Sequence, residues 1–390
     1  MTSITTNQKI LDYYNQLCQR WGYTPTDKVC TGYEAEMPRL LQLSKEVWLA
    51  ADDAGKKDIE QEVFDIYRGK NILPIYYFNL EGCQEAIFDL AQRQKKVDNG
   101  ILQVGNNEGL TLGRFWFENI QDAHTRDNTE VSLRGRFMND NKLRRAINLC
   151  YKHRDEGELA VVPKNLRRAF DLVSGGSIQN FKPMNARAVW EYICPTLFGN
   201  LLDFSSGYGG RMMGAMTSRM RYNYTGIDPN TKTYDGLVAL GELLSECGQG
   251  NGYSMHCIPS EDFDPEPGFY QAAFSSPPYF DLEIYSDEPT QCMNRCSNLD
   301  AWFDLYVEPT LKMIHRALED DAVYAVNIAD YKSGKEKFEI VERWKQLSEK
   351  VGFQYQSTIK MMLNVRPGQG NNKKQNGFKY EGIYVFTKKP

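Results

Sequence analysis

Between residues 200 and 388 short apolar runs alternate with amphipathic stretches and glycine-bearing turns, and no other feature restricts the fold of this 390-residue chain as strongly. NLLDF (200–204) runs into a glycine turn and a helix starting near Gly210. YNYTGID (222–228) is followed by a helix over 232–247. YSMHCI (253–258) and QAAFS (271–275) are two further strands. A helix over 299–318 leads to AVYAVNI (322–328). Another over 335–350 leads to QYQSTIKMML and GIYVFTK. Strands that alternate with helices across short turns pair in parallel, and the helices cover both faces of the sheet. The last two runs have no helix between them, so they form an antiparallel hairpin with a long loop.

The first part of the chain has a different texture. QKILDYYNQLCQRW, MPRLLQLSKEVWLAADD and QEAIFDLAQRQKKV place apolar residues three and four apart, the spacing of amphipathic helices. ILPIYYFNL between them is either a buried strand or an irregular core segment. Residues 140–173 are again helical, capped by Asn139 or Asp140. VSGGSIQNFKP breaks this pattern, so the domain boundary is expected there: residues 1–178 mainly helical, residues 179–390 the α/β part.

Composition excludes several classes. With 41% apolar and 25% charged residues the chain is an ordinary globular protein, large enough to bury a core without disulfide staples. Its nine cysteines are odd in number and lack framework spacing, which fits a reducing, cytoplasmic setting. MTSITTNQKILDYY has no apolar core of signal-peptide type, and no run of about 18 apolar residues occurs, so neither secretion nor membrane insertion is expected. The net charge of −5 argues against a surface coated in Lys and Arg. Residues 131–170 nevertheless carry ten basic and four acidic side chains. This stretch (134–168), with Lys164, Arg167 and Arg168, is a candidate phosphate-contacting face. So is the loop 366–379, with Arg366, Lys373, Lys374 and Lys379. Cys292 and Cys296, and the pair His256–Cys257, lack zinc spacing, and no metal is expected.

In a parallel sheet ligands bind outside the carboxyl ends of the strands. Three motifs sit there. Asp203-Phe-Ser205-Ser-Gly207-Tyr-Gly209-Gly210 ends the first strand; its glycines allow a tight turn and close approach of backbone to a ligand, at the positive end of the next helix. Asp228, ending the second strand some 25 residues on, is where a ribose offers two hydroxyls. Ser276-Pro277-Pro278-Tyr279 ends the fourth. Two prolines there fix an extended backbone and remove two N–H donors, leaving carbonyl acceptors beside a hydroxyl and an aromatic face.

The order Asp-x-x-x-Gly-x-Gly, acidic strand end, Ser-Pro-Pro-Tyr resembles the S-adenosylmethionine-dependent amino-methyltransferases of DNA. The resemblance covers residues 181–390. It implies a Rossmann-like, seven-stranded class I methyltransferase domain of α/β class, with S-adenosyl-L-methionine as cofactor. Phe181-Lys182-Pro183 matches the family's upstream cofactor motif. The loop from Asp203 to Gly210 would hold the methionine part, with Asp203 near its ammonium. Asp228 would bind the ribose, and Glu261 or Asp262 would accept from the adenine amino group. Ser276 and the Pro277 carbonyl would accept from the target amine, with Tyr279 stacked on the base. The partner would be DNA, as duplex with a flipped base or as single strand. Ser at the first position of the tetrapeptide points to cytosine N4. Adenine N6, an RNA base or protein amide, and a catalytically silent subunit are the alternatives. Such enzymes serve host protection, restriction–modification and phage genome modification.

Two departures stand out. Ser205 replaces the family's frequent Phe or Pro. Only about twenty loop residues separate Tyr279 from the next helix, so either target recognition comes from the N-terminal 180 residues or specificity is low.

Overall fold

The computed structural model describes residues 7–24, 38–71, 73–103, 107–125, 131–153, 161–174, 178–248, 252–333, 336–363 and 380–390. The loop 366–379 therefore lies outside the described residues. The chain divides into two compact units. One comprises Met1–Cys83 with Arg114–Gln179; the other comprises Gln84–Gly113 with Asn180–Pro390. Sequence texture assigned Gln84–Gly113 to the helical region because QEAIFDLAQRQKKV reads as one more amphipathic helix. Its contacts lie in the α/β unit: the Arg187 guanidinium donates to the carbonyls of Arg93 (2.7 Å) and Leu90 (3.0 Å).

The first unit is mainly helical. Gln8–Trp21, Asp53–Lys70, Asp140–His153 and Pro163–Ser174 are its longer helices, and Asn139 caps the third through its Oδ1, which accepts from Lys142 N at 3.1 Å. Of ILPIYYFNL, residues 73–79 form an irregular core segment rather than a strand, with Leu73, Ile75 and Tyr77 buried. Irregular backbone needs hydrogen-bond partners when buried. Aromatic side chains supply several of them: Tyr14 OH reaches Phe78 O (2.8 Å), Tyr67 OH reaches Val161 O (2.7 Å), and Tyr151 OH reaches Leu43 O (2.9 Å). Among the described residues no helix is long and apolar enough to cross a membrane.

The second unit is built on an eight-stranded sheet. Its strands are β1 (Ile101–Leu102), β2 (Phe198–Asp203), β3 (Arg221–Ile227), β4 (Tyr253–His256), β5 (Tyr270–Ser275), β6 (Leu318–Asn327), β7 (Phe353–Met362) and β8 (Tyr380–Lys388). They lie in the order β1-β7-β8-β6-β5-β2-β3-β4. Strand β8 is antiparallel to both its neighbours, and every other pair is parallel. The seven strands from β2 to β8 form the Rossmann-like α/β sheet expected from the alternation, with the final antiparallel hairpin in place. The eighth, β1, comes from the reassigned segment and adds to the edge at Lys360–Met361. Two residues carry too little periodicity to be read as a strand.

The helices used below are α1 (Pro183–Ile193), α2 (Gly210–Met216), α3 (Thr231–Glu246), α4 (Glu308–Ala317) and α5 (Val341–Val351). Helix α5 starts six residues later than the sequence suggests, because Tyr331–Ser333 and Glu336–Phe338 form a small hairpin first. Before α4, residues Phe303–Val307 make a π-helical turn. Pro309 explains it. A proline has no N–H to close the ordinary helical bond, and the turn widens. The core beneath is aromatic: Tyr324 stacks on Phe386 at 4.7 Å, and its hydroxyl meets Ser348 Oγ (2.5 Å) and Trp344 Nε1 (3.1 Å).

Candidate functional site

Strands β2, β3 and β5 are neighbours and parallel, so their carboxyl ends, and the three motifs on them, come to one edge of the sheet. The glycine loop bends through Gly207 (φ +55°) and Gly209 (φ +72°), left-handed conformations that glycine adopts without penalty. Gly210 is glycine for space: a Cβ there would fall onto the Phe181 carbonyl. The upstream motif therefore rests directly on the loop, and Asn180 adds a 2.5 Å bond from its amide nitrogen to Tyr208 O. The Phe181 ring packs edge-on against Phe274 of β5 at 5.5 Å. Lys182 is the N-cap of α1, and Pro183 opens it, where a missing N–H costs nothing.

Asp203 does not take the part expected of it. It is fully buried, and its Oδ2 accepts from Arg211 Nε (2.8 Å) and Tyr224 OH (2.7 Å). Its Oδ1 accepts from Ser275 Oγ (2.8 Å) and the Ser205 amide (3.3 Å). No oxygen is left facing open space. Asp203 ties together β2, β3, β5 and α2 and sets the loop's shape, rather than offering a carboxylate to an ammonium. Arg211 closes the arrangement by donating also to Ser205 O. Tyr306, carried by the π turn, meets Ser205 Oγ at 3.2 Å.

Asp228 is held differently. It is nearly buried, and among the described residues its two oxygens accept backbone amides alone, from Gly207 (2.8 Å) and Asn230 (3.0 Å). Burial raises its carboxyl to about 6, against the smaller, opposite pull of those two amides. Each oxygen keeps a lone pair for a further donor.

After β4, Glu261 and Asp262 separate clearly. Asp262 is exposed and bound to Arg295 (2.8 Å). The Glu261 side chain is 4% exposed. Its Oε1 meets the same guanidinium at 2.8 Å, while its Oε2 is buried with no partner among the described residues. Burial raises it to about 7.

At the end of β5, Ser276 donates to Asn327 Oδ1 at 3.4 Å. The Tyr279 hydroxyl lies 2.6 Å from Glu381 Oε1 and 3.1 Å from Asn327 O. Pro277 is buried, and Pro278 and Tyr279 are half-buried. Phe280 follows at φ +47°, strained for a residue with a side chain, and is held by packing against Trp302 and Phe338. The structure thus brings Phe181–Pro183, Asp203–Gly210, Asp228 and Ser276–Tyr279 to the carboxyl ends of adjacent strands. Sequence reading missed Arg211, Tyr224, Ser275, Tyr306, Asn327 and Glu381. Ser275 and Asn327 sit at strand ends and were within reach; the others are singled out only by tertiary contacts.

The basic region of the first unit is partly consumed internally. Arg136 is fully buried and donates to Val131 O and Phe170 O, and the buried Arg167 pairs with Asp171 at 2.7 Å, so neither faces outward. Arg144, Arg145, Lys164 and Arg168 are exposed.

No family model and no curated protein matches the chain. Among solved structures it is similar to 1,6-didemethyltoxoflavin-N1-methyltransferase of Burkholderia thailandensis (13% identity, 53% of this chain and 78% of the other, TM-score 0.35). It is similar to a TehB-like SAM-dependent methyltransferase of Corynebacterium glutamicum (15% identity, 58% and 97%, TM-score 0.34) and to magnesium protoporphyrin IX methyltransferase of Synechocystis (13% identity, 53% and 79%, TM-score 0.34).

Proposed function

We propose that this chain is an S-adenosylmethionine-dependent methyltransferase acting on an exocyclic amine of a DNA base, cytosine N4 in the first place and adenine N6 as the alternative. The observation that carries the reading is the convergence of three motifs at the carboxyl ends of β2, β3 and β5, with the Ser-Pro-Pro-Tyr segment beside the glycine loop. The residues fit the cofactor. Asp228 has two lone pairs for ribose hydroxyls, and the orphaned Oε2 of Glu261 is an acceptor for the adenine amino group, which selects Glu261 over Asp262. The loop backbone at Ser205–Gly209, with its shape set by Asp203 and Arg211, would hold the methionine part. When bound, the cofactor supplies an electrophilic methyl group on a sulfonium.

The chain's own residues do the rest. An exocyclic amine is a poor nucleophile because its lone pair is delocalised into the ring. The Ser276 oxygen and the Pro277 carbonyl accept its two hydrogens, favour a tetrahedral nitrogen and direct its lone pair. Pro278 removes a competing donor, and the Tyr279 ring faces the base. Positioning and a partly desolvated setting are the catalytic terms. No Pro-Cys pair stands at this strand end to form a covalent adduct with a ring carbon. Among the described residues of the basic region, the exposed Arg144, Arg145, Lys152, Lys164 and Arg168 are the side chains offered to phosphates.

The test is a transfer assay with isotopically labelled S-adenosylmethionine on unmethylated duplex DNA, single-stranded DNA and total RNA, with products digested to nucleosides for mass spectrometry. Label in N4-methylcytosine or N6-methyladenine is expected. Label only in RNA overturns the DNA assignment, and no label despite cofactor binding overturns the catalytic one.

A further inference from the structure

We propose that Asn327 and Glu381 are positioning residues for methyl transfer, clamping the two ends of the Ser276–Tyr279 segment. The proposal rests on the base-amine reading above and adds residues that no motif contains. Asn327 is the last residue of β6 and 3% exposed; in the register of β6 against β8 it faces Ile383, two residues from Glu381. Its amide nitrogen donates to Gly382 O at 3.0 Å, which fixes the orientation of the amide. The Oδ1 then points at Ser276 and accepts its hydroxyl hydrogen at 3.4 Å.

This has a chemical consequence. A serine hydroxyl has one hydrogen and two lone pairs. When that hydrogen goes to Asn327, Ser276 presents only lone pairs to the pocket, as an acceptor of an amine hydrogen must; the Tyr279 oxygen, also within hydrogen-bond reach of Ser276, is the competing acceptor. The other end is fixed likewise. Tyr279 has one hydroxyl hydrogen, and at 2.6 Å Glu381 Oε1 takes it ahead of the Asn327 carbonyl at 3.1 Å. A hydrogen bond to a charged acceptor is short and directional, so it holds the ring as well as the oxygen. The clamp adds to the packing against Trp302 and Phe338 that holds the next residue, Phe280, in its left-handed conformation. Glu283 accepts from Tyr285, and burial together with the nearby Glu381 raises its carboxyl.

Two measurements test it, one independent of activity. The first is hydrogen exchange by mass spectrometry at the amides of Ser276, Tyr279 and Phe280, the prolines having none. Exchange there is expected to quicken in Glu381→Ala and Asn327→Ala and to remain as in the native chain in Glu381→Gln, which keeps an acceptor. The second is labelled transfer. Glu381→Ala is expected to lower kcat about tenfold to a hundredfold, with cofactor affinity unchanged, and Glu381→Gln to recover most of the rate. In a Tyr279→Phe background the same Glu381→Ala change is expected to cost no more than about twofold, since the shared bond is already gone. Unchanged exchange in Glu381→Ala, or an equal loss of rate in both backgrounds, overturns the clamp. Asn327 is buried, so the half-buried Glu381 and Tyr279 carry the test if Asn327→Ala does not fold. If the native chain binds cofactor but labels no nucleic acid, the base-amine reading falls, and the exchange result alone decides whether the clamp exists.

Discussion

Asp203 and Asp228 end neighbouring parallel strands, yet they live in opposite electrostatic settings. Asp203 accepts from a guanidinium, a phenol, a serine hydroxyl and an amide, and has no exposed surface. Asp228 accepts from two backbone amides, and burial lifts its carboxyl to about 6. The same residue type in equivalent places thus divides its labour. A carboxylate whose charge is fully compensated is a structural pin. One that is buried and under-compensated is costly to the folded chain, which is why we propose Asp228 for the cofactor. The contrast makes two variants informative in opposite directions.

The largest effect falls on the pin. Arg211→Met leaves Asp203 buried and without its cation. Breaking a buried pair from one side costs roughly 3–5 kcal/mol, whereas removing both partners together costs much less. Chemical denaturation is expected to show that loss in Arg211→Met and recovery of a large part of it in Asp203→Asn with Arg211→Met. If the single and double variants are equally stable, the pair contributes nothing and the contrast with Asp228 collapses.

Asp228→Asn is expected to act in the reverse sense on stability. The folded-state carboxyl is raised from 3.8 to about 6, so the folded chain binds this proton more tightly than the unfolded chain does. The contribution is favourable below about pH 4 and is lost as pH rises through about 6. At pH 8 the ionised group costs about 2–3 kcal/mol. An amide removes that charge but can accept only one of the two backbone N–H groups, which returns about 1 kcal/mol. Asp228→Asn should therefore be about 1–2 kcal/mol more stable than the native chain at pH 8 and no more stable at pH 4, while its S-adenosylmethionine affinity falls about a hundredfold by calorimetry. Lower stability at pH 8 would mean that Asp228 is a second pin.

How much of this was legible follows from the same contrast. The α/β alternation, the final antiparallel hairpin and the strand-end motifs are local patterns, and local patterns survive in a sequence. The division between Asp203 and Asp228 is not local. It depends on Arg211, the second residue of α2, on Tyr224 in the middle of β3 and on Ser275, each of which reads alone as ordinary core or surface. Arg136 makes the same point in the first unit. LRGRF reads as a basic face, but Arg136 turns inward to donate to the carbonyls of Val131 and Phe170. The segment Gln84–Gly113 was misassigned because helical periodicity reports which face is buried, not which unit buries it.

The smallest effect tests whether a third strand-end carboxylate falls on Asp228's side of the divide. Glu261 shares Arg295 with Asp262, but its second oxygen is buried and unpartnered, and burial raises it to about 7. Its folded-state value exceeds the unfolded 4.5, so its favourable contribution is lost as pH rises through about 7, as for Asp228. A glutamine there still offers a carbonyl to an adenine amino group, though its amide end now faces the Arg295 guanidinium. Glu261→Gln is therefore expected to weaken cofactor binding by less than about tenfold, and Glu261→Ala by more. The sharper reading is the pH profile. Native cofactor affinity should fall with acidification in two steps, near 7 and near 6. Glu261→Gln should keep only the lower step, and Asp228→Asn only the upper. Were both steps to persist in Glu261→Gln, the orphaned oxygen would have no part in holding the cofactor, and Asp228 would stand alone as the under-compensated carboxylate of the site.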